Sequence, residues 1–169
     1  MRDNFRLLAA AVVVTSIILV AGCGKKTEET GSGTAPLPSA TSLGDQVVLT
    51  AAEYLETEQY AGANRRRGEQ QARICQACHS LDNGGPNMIG PALYGFFGTE
   101  VGSRSGFEYS AVMRNADFVW TPEALNAWLA QPGRFLPGNR MTFAGVLRQE
   151  DRDNLIAYLL EVTTASENE

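Results

Sequence analysis

The chain has 169 residues, 44% of them hydrophobic and 20% charged, which suits one compact domain with appendages and leaves no room for a second domain of ordinary size. Fourteen Lys and Arg against 19 Asp and Glu give a formal net charge of −5, so no basic surface advertises nucleic acid or anionic lipid. Proteins or small redox species are the expected partners, and nothing suggests other than a monomer.

Residues 1–22 read as a targeting segment. Arg2 and Arg6 precede an apolar run over residues 7–22, the layout of a secretory signal, and the run is shorter than the ~20 residues that span a bilayer. Its end, "LVAGC" at 19–23, is similar to the bacterial lipobox, in which cleavage leaves a lipid-bearing cysteine as the first residue. Cys23 is therefore the expected lipidation site. An uncleaved anchor helix is the alternative, and both readings place the remainder on the periplasmic side of a bacterial membrane. Several acyl chains on one residue make a durable tether, since each buried methylene contributes ~0.8 kcal/mol. Residues 23–44, rich in Gly, Ser, Thr and Pro, read as a linker with a reach of roughly 25 Å.

Residues 45–63 form an N-terminal extension in which Val48, Ala51, Ala52 and Leu55 recur at helical spacing, so a helix is expected over 45–60. A further helix should run from about Arg65 into the cysteines. In "TPEALNAWLAQP" Thr121 can cap, Pro122 suits the first helical position, Leu125, Trp128 and Leu129 share a face, and Pro132-Gly133 should stop the helix. A last helix is expected over 150–162, with Leu155, Tyr158, Leu159 and Val162 as its stripe. No run alternates well enough for a strand. Residues 84–107 are too rich in glycine for a regular element, and so long a loop inside a compact domain normally wraps something.

The chemistry concentrates in "RICQACHSL", residues 73–81, which holds two of the three cysteines and the only histidine. Structural zinc needs four ligands, and only Cys75, Cys78 and His79 lie near one another. Thiol–disulfide exchangers carry Cys-x-x-Cys in a βαβ context, and no strands are expected here. Cys-x-x-Cys-His is the attachment signature of c-type haem: two thioethers from the cysteines, and an imidazole on the same helical turn that reaches the iron. One thiol for lipid and two for one covalent haem leave none free in an oxidising compartment. With no second His, the remaining axial ligand is a methionine thioether or a vacancy. Met88, Met113 and Met141 are the candidates. Met141, after a Pro-Gly turn that can carry the chain across the open face, is the expected ligand.

Taken together, "CQACH", "GPALYGFFG", "GFEYS", "FVWTPEAL", "PGRFLPGNRM" and "DRDNLIAYL" resemble class I cytochrome c over roughly residues 68–160. The resemblance implies an all-α cytochrome c fold for residues 64–169, with helices and long loops around one haem. It implies that the Pro91 carbonyl accepts a hydrogen bond from the His79 ring, that Tyr109 and Trp120 bond a haem propionate, and that Leu155 and Tyr158 pack across the first helix of the domain. Without it, Tyr109 and Trp120 are core aromatics with polar tips.

Four departures stand out. The family's propionate arginine is replaced by Thr99, leaving better solvation or Arg104 as substitutes. Trp128 stands where a tyrosine often touches the axial sulfur, and its indole N–H is a possible replacement. Met113 takes a place often held by asparagine. Ala72 or Gln71 replaces the aromatic that usually meets the last helix, and Tyr54, Leu55 or Tyr60 of the extension could compensate. The only lysines, Lys25 and Lys26, lie in the linker, so docking should depend on apolar contact and on the tether rather than on a lysine ring; the alternative is a local positive rim from Arg134 and Arg140. The resemblance thus implies a membrane-tethered monohaem electron carrier between redox proteins of a respiratory or photosynthetic chain, and no enzyme. The alternative is a haem peroxidase or gas sensor with a labile methionine.

Overall fold

The computed structural model describes residues 39–164. The signal segment 1–22, Cys23 and the linker up to residue 38 lie outside the described residues, so the expectations placed on them carry over as proposals.

After a 3-10 turn (Ala40–Ser42) and an extended stretch come α1 (Ala51–Glu56), α2 (Glu58–Ala61), α3 (Arg65–Gln76), α4 (Ala111–Arg114), α5 (Pro122–Ala130), α6 (Pro132–Phe135) and α7 (Gln149–Thr163). Among the described residues no strand forms; one isolated antiparallel bridge joins Glu100 to Val119. No described helix is long and apolar enough to cross a membrane.

The single helix expected over 45–60 is instead two short ones preceded by extended chain. Thr50 starts α1 through a capping box: its hydroxyl accepts from Glu53 N, and the Glu53 carboxylate accepts from Thr50 N at 2.8 Å. Thr57 ends it in an extended conformation, with its hydroxyl donating to the Tyr54 carbonyl at 2.7 Å. As expected, α5 ends at Ala130, just before Pro132-Gly133, and Pro132 in addition serves as the first residue of α6, because Pro fits a first helical position.

The frame is the crossing of α3 on α7. Gly68 makes the close approach possible, since a Cβ there would lie 2.1 Å from the Asn154 carbonyl oxygen and 2.7 Å from Tyr158 Cβ. Ala72, Leu155, Ile156, Ala157, Leu159 and Leu160 are buried around this crossing. Each large aliphatic side chain so buried contributes about 1.5–3 kcal/mol before the entropy of ordering is charged. Glu150 and Asp151 in the first turn of α7 suit the positive end of its dipole. Tyr54 and Tyr60 of the extension are buried in the same core cluster, so α1 and α2 belong to the domain and are not an outlying spacer.

A second layer is aromatic. Phe118, Trp120, Trp128 and Phe135 form a closed ring of edge-to-face pairs, with centroids 5.0, 5.6, 5.9 and 5.5 Å apart in turn. Such pairs add about 0.5–1.5 kcal/mol each beyond area burial and fix ring orientation.

Candidate haem site

The end of α3 builds the first wall. Cys78 N and His79 N donate to the Cys75 carbonyl at 3.0 and 2.9 Å, so the helical turn continues past Gln76 and brings residues 75, 78 and 79 to one face. Neither cysteine is in a disulfide. Burial pushes the Cys75 thiol up to about 11, so it is protonated at neutral pH.

The chain then turns back beneath the histidine. Gly90 N donates to the Cys78 carbonyl at 2.8 Å, and Gly90 lies so close that a Cβ would fall 2.3 Å from His79 Cε1. The next carbonyl, that of Pro91, lies 2.7 Å from His79 Nδ1. Nδ1 therefore carries the proton, and Nε2 keeps its lone pair. Burial lowers the imidazole's pKa, opposed by the hydrogen bond to Pro91, which favours the neutral, metal-binding form.

These residues open onto a cavity of about 760 Å³. It is lined by Cys75, Cys78, His79 and Pro91 on one side and by Tyr109, Met113, Trp120, Trp128 and Met141 elsewhere, so every cofactor-binding residue expected from the sequence borders one space. Met88 is exposed and does not border it. Both Met113 and Met141 do. Met113 is buried in α4; Met141 is partly buried, and its N–H donates to Asn139 Oδ1 at 2.9 Å. Asn139 in turn donates to the carbonyls of Pro132 and Leu136 at 2.9 and 2.8 Å, tying the Met141 loop to α6.

Around Tyr109 the wall turns polar. Arg104 and Arg140 border the cavity, with guanidinium groups that donate to the carbonyls of Tyr94 and Glu108. Thr99 donates its hydroxyl to the Phe96 carbonyl at 2.6 Å. Ser110 Oγ is buried without a hydrogen-bond partner on the same wall, an arrangement that is costly unless a polar group of a bound molecule meets it. A haem fits this donor set: two free thiols with two residues between them on one helical turn, a neutral imidazole, thioether sulfurs, aromatic walls for the macrocycle, and cations with an orphaned hydroxyl for its carboxylates.

Sequence reasoning missed Arg152. Its buried guanidinium donates to the carbonyls of Val146 and Leu147 at 2.7 and 2.8 Å and to Asn126 Oδ1 at 2.8 Å, so it pins the end of the Met141 loop to α5 and α7. The only signal was an arginine in register with Leu155, Ile156 and Leu159 on an apolar helix. Gln46, whose carboxamide pairs with Val119, was also missed.

No protein-family model matches the chain. It is 43% identical over 98 residues to a cytochrome c homolog of Bradyrhizobium diazoefficiens, a match covering 57% of this chain and 53%, about half, of that protein. It is 40% identical over 97 residues to the cytochrome c2 of Agrobacterium tumefaciens, covering 56% of this chain and 87% of the relative. Against the cytochrome c of Gibberella zeae the identity is 35% over 104 residues, 61% of this chain and 98% of the relative.

Proposed function

The chain belongs to the cytochrome c family, with its all-α fold and one covalent haem c, and from that premise we propose that it carries single electrons between redox proteins on the periplasmic side of a bacterial membrane, tethered there by a lipid on Cys23. The observation that supports this best is the cavity bordered at once by Cys75, Cys78, His79 and Met141. When bound, the haem supplies a reversible one-electron ferric–ferrous couple.

The protein's part is to hold and to exclude. Cys75 and Cys78 would hold the haem as its thioether residues, and His79, oriented by the Pro91 carbonyl and backed by Gly90, would bind its iron. Met141 would be the second residue to hold the iron, because the Asn139 braces and the Arg152 pin fix the loop that carries it. Trp120, Trp128, Leu125 and Leu129 keep water from the interior, so little reorganises on electron transfer. Tyr109, Ser110 and Arg104 would hold the haem's propionates. His79 is the chain's one histidine and is taken up by the iron in this reading, so no second histidine is available on the Met141 side as a distal acid–base residue, which supports a carrier over a peroxidase.

Ile74 and Ile89 border the cavity and are exposed, and with exposed Met88 nearby in sequence they supply an apolar docking rim in place of a lysine ring. Partners are then complexes of the same membrane, reached through the tether rather than by long-range steering. The test is the visible and near-infrared spectrum of the holoprotein in both oxidation states. A low-spin spectrum with a far-red iron–sulfur band, lost in Met141→Ala and kept in Met113→Leu, supports the reading. A high-spin spectrum that responds readily to carbon monoxide overturns it in favour of a sensor or peroxidase. Cys23→Ser should release the protein from the membrane fraction; retention would remove the lipid from the account.

A further inference from the structure

We propose that Gln46, in the extended arm before α1, is a positioning residue for the haem pocket that acts through Val119 on Trp120. This rests on the haem-carrier reading of the same cavity.

The geometry begins with the isolated bridge. Glu100 and Val119 face each other as an antiparallel pair, with Val101 N donating to the Phe118 carbonyl at 3.0 Å and Trp120 N to the Thr99 carbonyl at 2.9 Å. In such a pair the N–H and C=O of the central residue point outward, away from its partner. Val119 therefore presents an edge: its carbonyl also accepts from Thr121 N at 2.9 Å, but its N–H is left for a neighbouring strand to meet. Gln46 meets it instead. Its Nε2 donates to the Val119 carbonyl at 2.8 Å, and its Oε1 accepts from Val119 N at 2.7 Å, the two bonds a neighbouring strand would make. The same Nε2 lies 3.3 Å from Thr121 Oγ1, the residue that caps α5. A single carboxamide therefore spans the segment that carries Trp120.

The arm also touches the other half of the bridge. A Cβ on Gly98 would lie 3.3 Å from Val48 Cγ1, and Gly98 N donates to the Trp120 carbonyl at 2.9 Å. Trp120 is thus held by its own N–H and C=O on one side and, through Val119, by Gln46 on the other. Its ring borders the cavity within the aromatic set, 5.0 Å from Phe118 and 5.6 Å from Trp128. Further along, the arm is kept in shape by Tyr54, whose hydroxyl donates to the Val47 carbonyl at 2.9 Å and accepts from Leu49 N at 3.3 Å. Among the described residues Val119 N has no other acceptor, so losing Gln46 opens that edge to water at the wall of the site.

The test compares the full-length holoprotein with Gln46→Ala, Gln46→Glu and Gln59→Ala. The Gln59 change removes a contact from α2 to Asp153 Oδ1 that lies away from Val119. Gln46→Ala is expected to raise the hydrogen-exchange rate of the Val119 amide at least tenfold and to lower the reduction potential, because water admitted near Trp120 favours the more highly charged ferric state. Gln46→Glu keeps the acceptor for Val119 N, so the rise in exchange should be smaller, while its added negative charge lowers the potential by itself. Gln59→Ala should change neither. Unchanged exchange in Gln46→Ala would show that the latch is absent, and faster exchange with an unchanged potential would reduce Gln46 to capping an edge; either overturns the inference. A wild-type protein with no covalent haem, seen before any variant is compared, is the separate failure of the carrier reading and takes this inference with it.

Discussion

Gly90→Ala tests the site at its most crowded point. Gly90 is not among the glycines with positive φ, so an alanine meets no backbone penalty there, and the residue is glycine for space alone. The new Cβ would lie 2.3 Å from His79 Cε1 and 2.7 Å from both ring nitrogens. Restoring ordinary contact needs a retreat of about 1 Å. The ring has little freedom to retreat, because Nδ1 is held 2.7 Å from the Pro91 carbonyl and the residue continues the helical turn of Cys75 and Cys78. Overpacking of this kind costs about 1–3 kcal/mol, and loss of the Pro91 hydrogen bond adds about 1 kcal/mol. The lower chain entropy of alanine in the unfolded state returns about 0.4–1 kcal/mol. The net is a destabilisation of about 1–3.5 kcal/mol. Urea unfolding of the holoprotein followed at the haem absorbance reads it as a midpoint lowered by roughly 1 M at unchanged slope. The low-spin spectrum should weaken in parallel as the imidazole is displaced. Gly62→Ala, where a Cβ meets nothing within 4 Å, is the control. If Gly90→Ala matches that control within about 0.5 kcal/mol and keeps the wild-type spectrum, the histidine does not rest on this glycine and the account of its orientation is wrong.

Gly68→Ala should also destabilise, by about 1–3 kcal/mol in denaturant melts, because the clash with the Asn154 carbonyl forces α3 from α7 and outweighs a helix-propensity gain of about 1 kcal/mol; a variant as stable as wild type would contradict the crossing. Arg152→Met should cost about 2–4 kcal/mol by leaving the Val146 and Leu147 carbonyls unpaired, and the far-red iron–sulfur band should bleach at a lower denaturant concentration than the helical signal. For Tyr60 the buried hydroxyl has no partner, so Tyr60→Phe should leave thermal stability at pH 7 unchanged or up to about 1 kcal/mol higher. Burial first, then the charges of Glu123 and Asp153, hold the Tyr60 phenol well above its ordinary value of 10.0. Its contribution is therefore fully present below about pH 10 and is lost as the pH rises toward the folded value, while the unfolded chain ionises first. Thermal melts above pH 10 should fall more steeply for wild type than for Tyr60→Phe; parallel curves would remove Tyr60 from alkaline unfolding.

Local chemistry was readable in advance wherever a short segment carries its own instructions. The cap and Pro of "TPEAL" start α5 as their positions require, and α7 follows its apolar stripe to within a residue or two. The break between α1 and α2 was missed although its marks were present. Thr50 and Glu53 spell a capping box, and Thr57 can turn its hydroxyl back to a carbonyl of the helix it ends; apolar spacing over 45–60 ran across both. Arg152 was unreadable for another reason. A charged residue on an apolar helix is ordinarily solvated, and only the return of the chain at Val146 and Leu147 supplies the carbonyls that make its burial tolerable.

What the sequence by itself determined is that Cys75, Cys78 and His79 share one face, because they stand at intervals that one helical turn must bring together. It also determined the all-α class, through the spacing of apolar residues and the lack of alternation. The tertiary structure alone decided which distant residues share the cavity. Met113 and Met141 reach it and Met88 does not, Ser110 is left with an unpaired hydroxyl on its wall, and an arm beginning some seventy residues earlier in the chain closes the edge beside Trp120. These outcomes depend on loops whose backbone groups find partners far along the chain. A pairing such as Gln46 with Val119 leaves no period, cap or spacing in the sequence, since both of its bonds on the Val119 side go to peptide groups that every residue but proline provides.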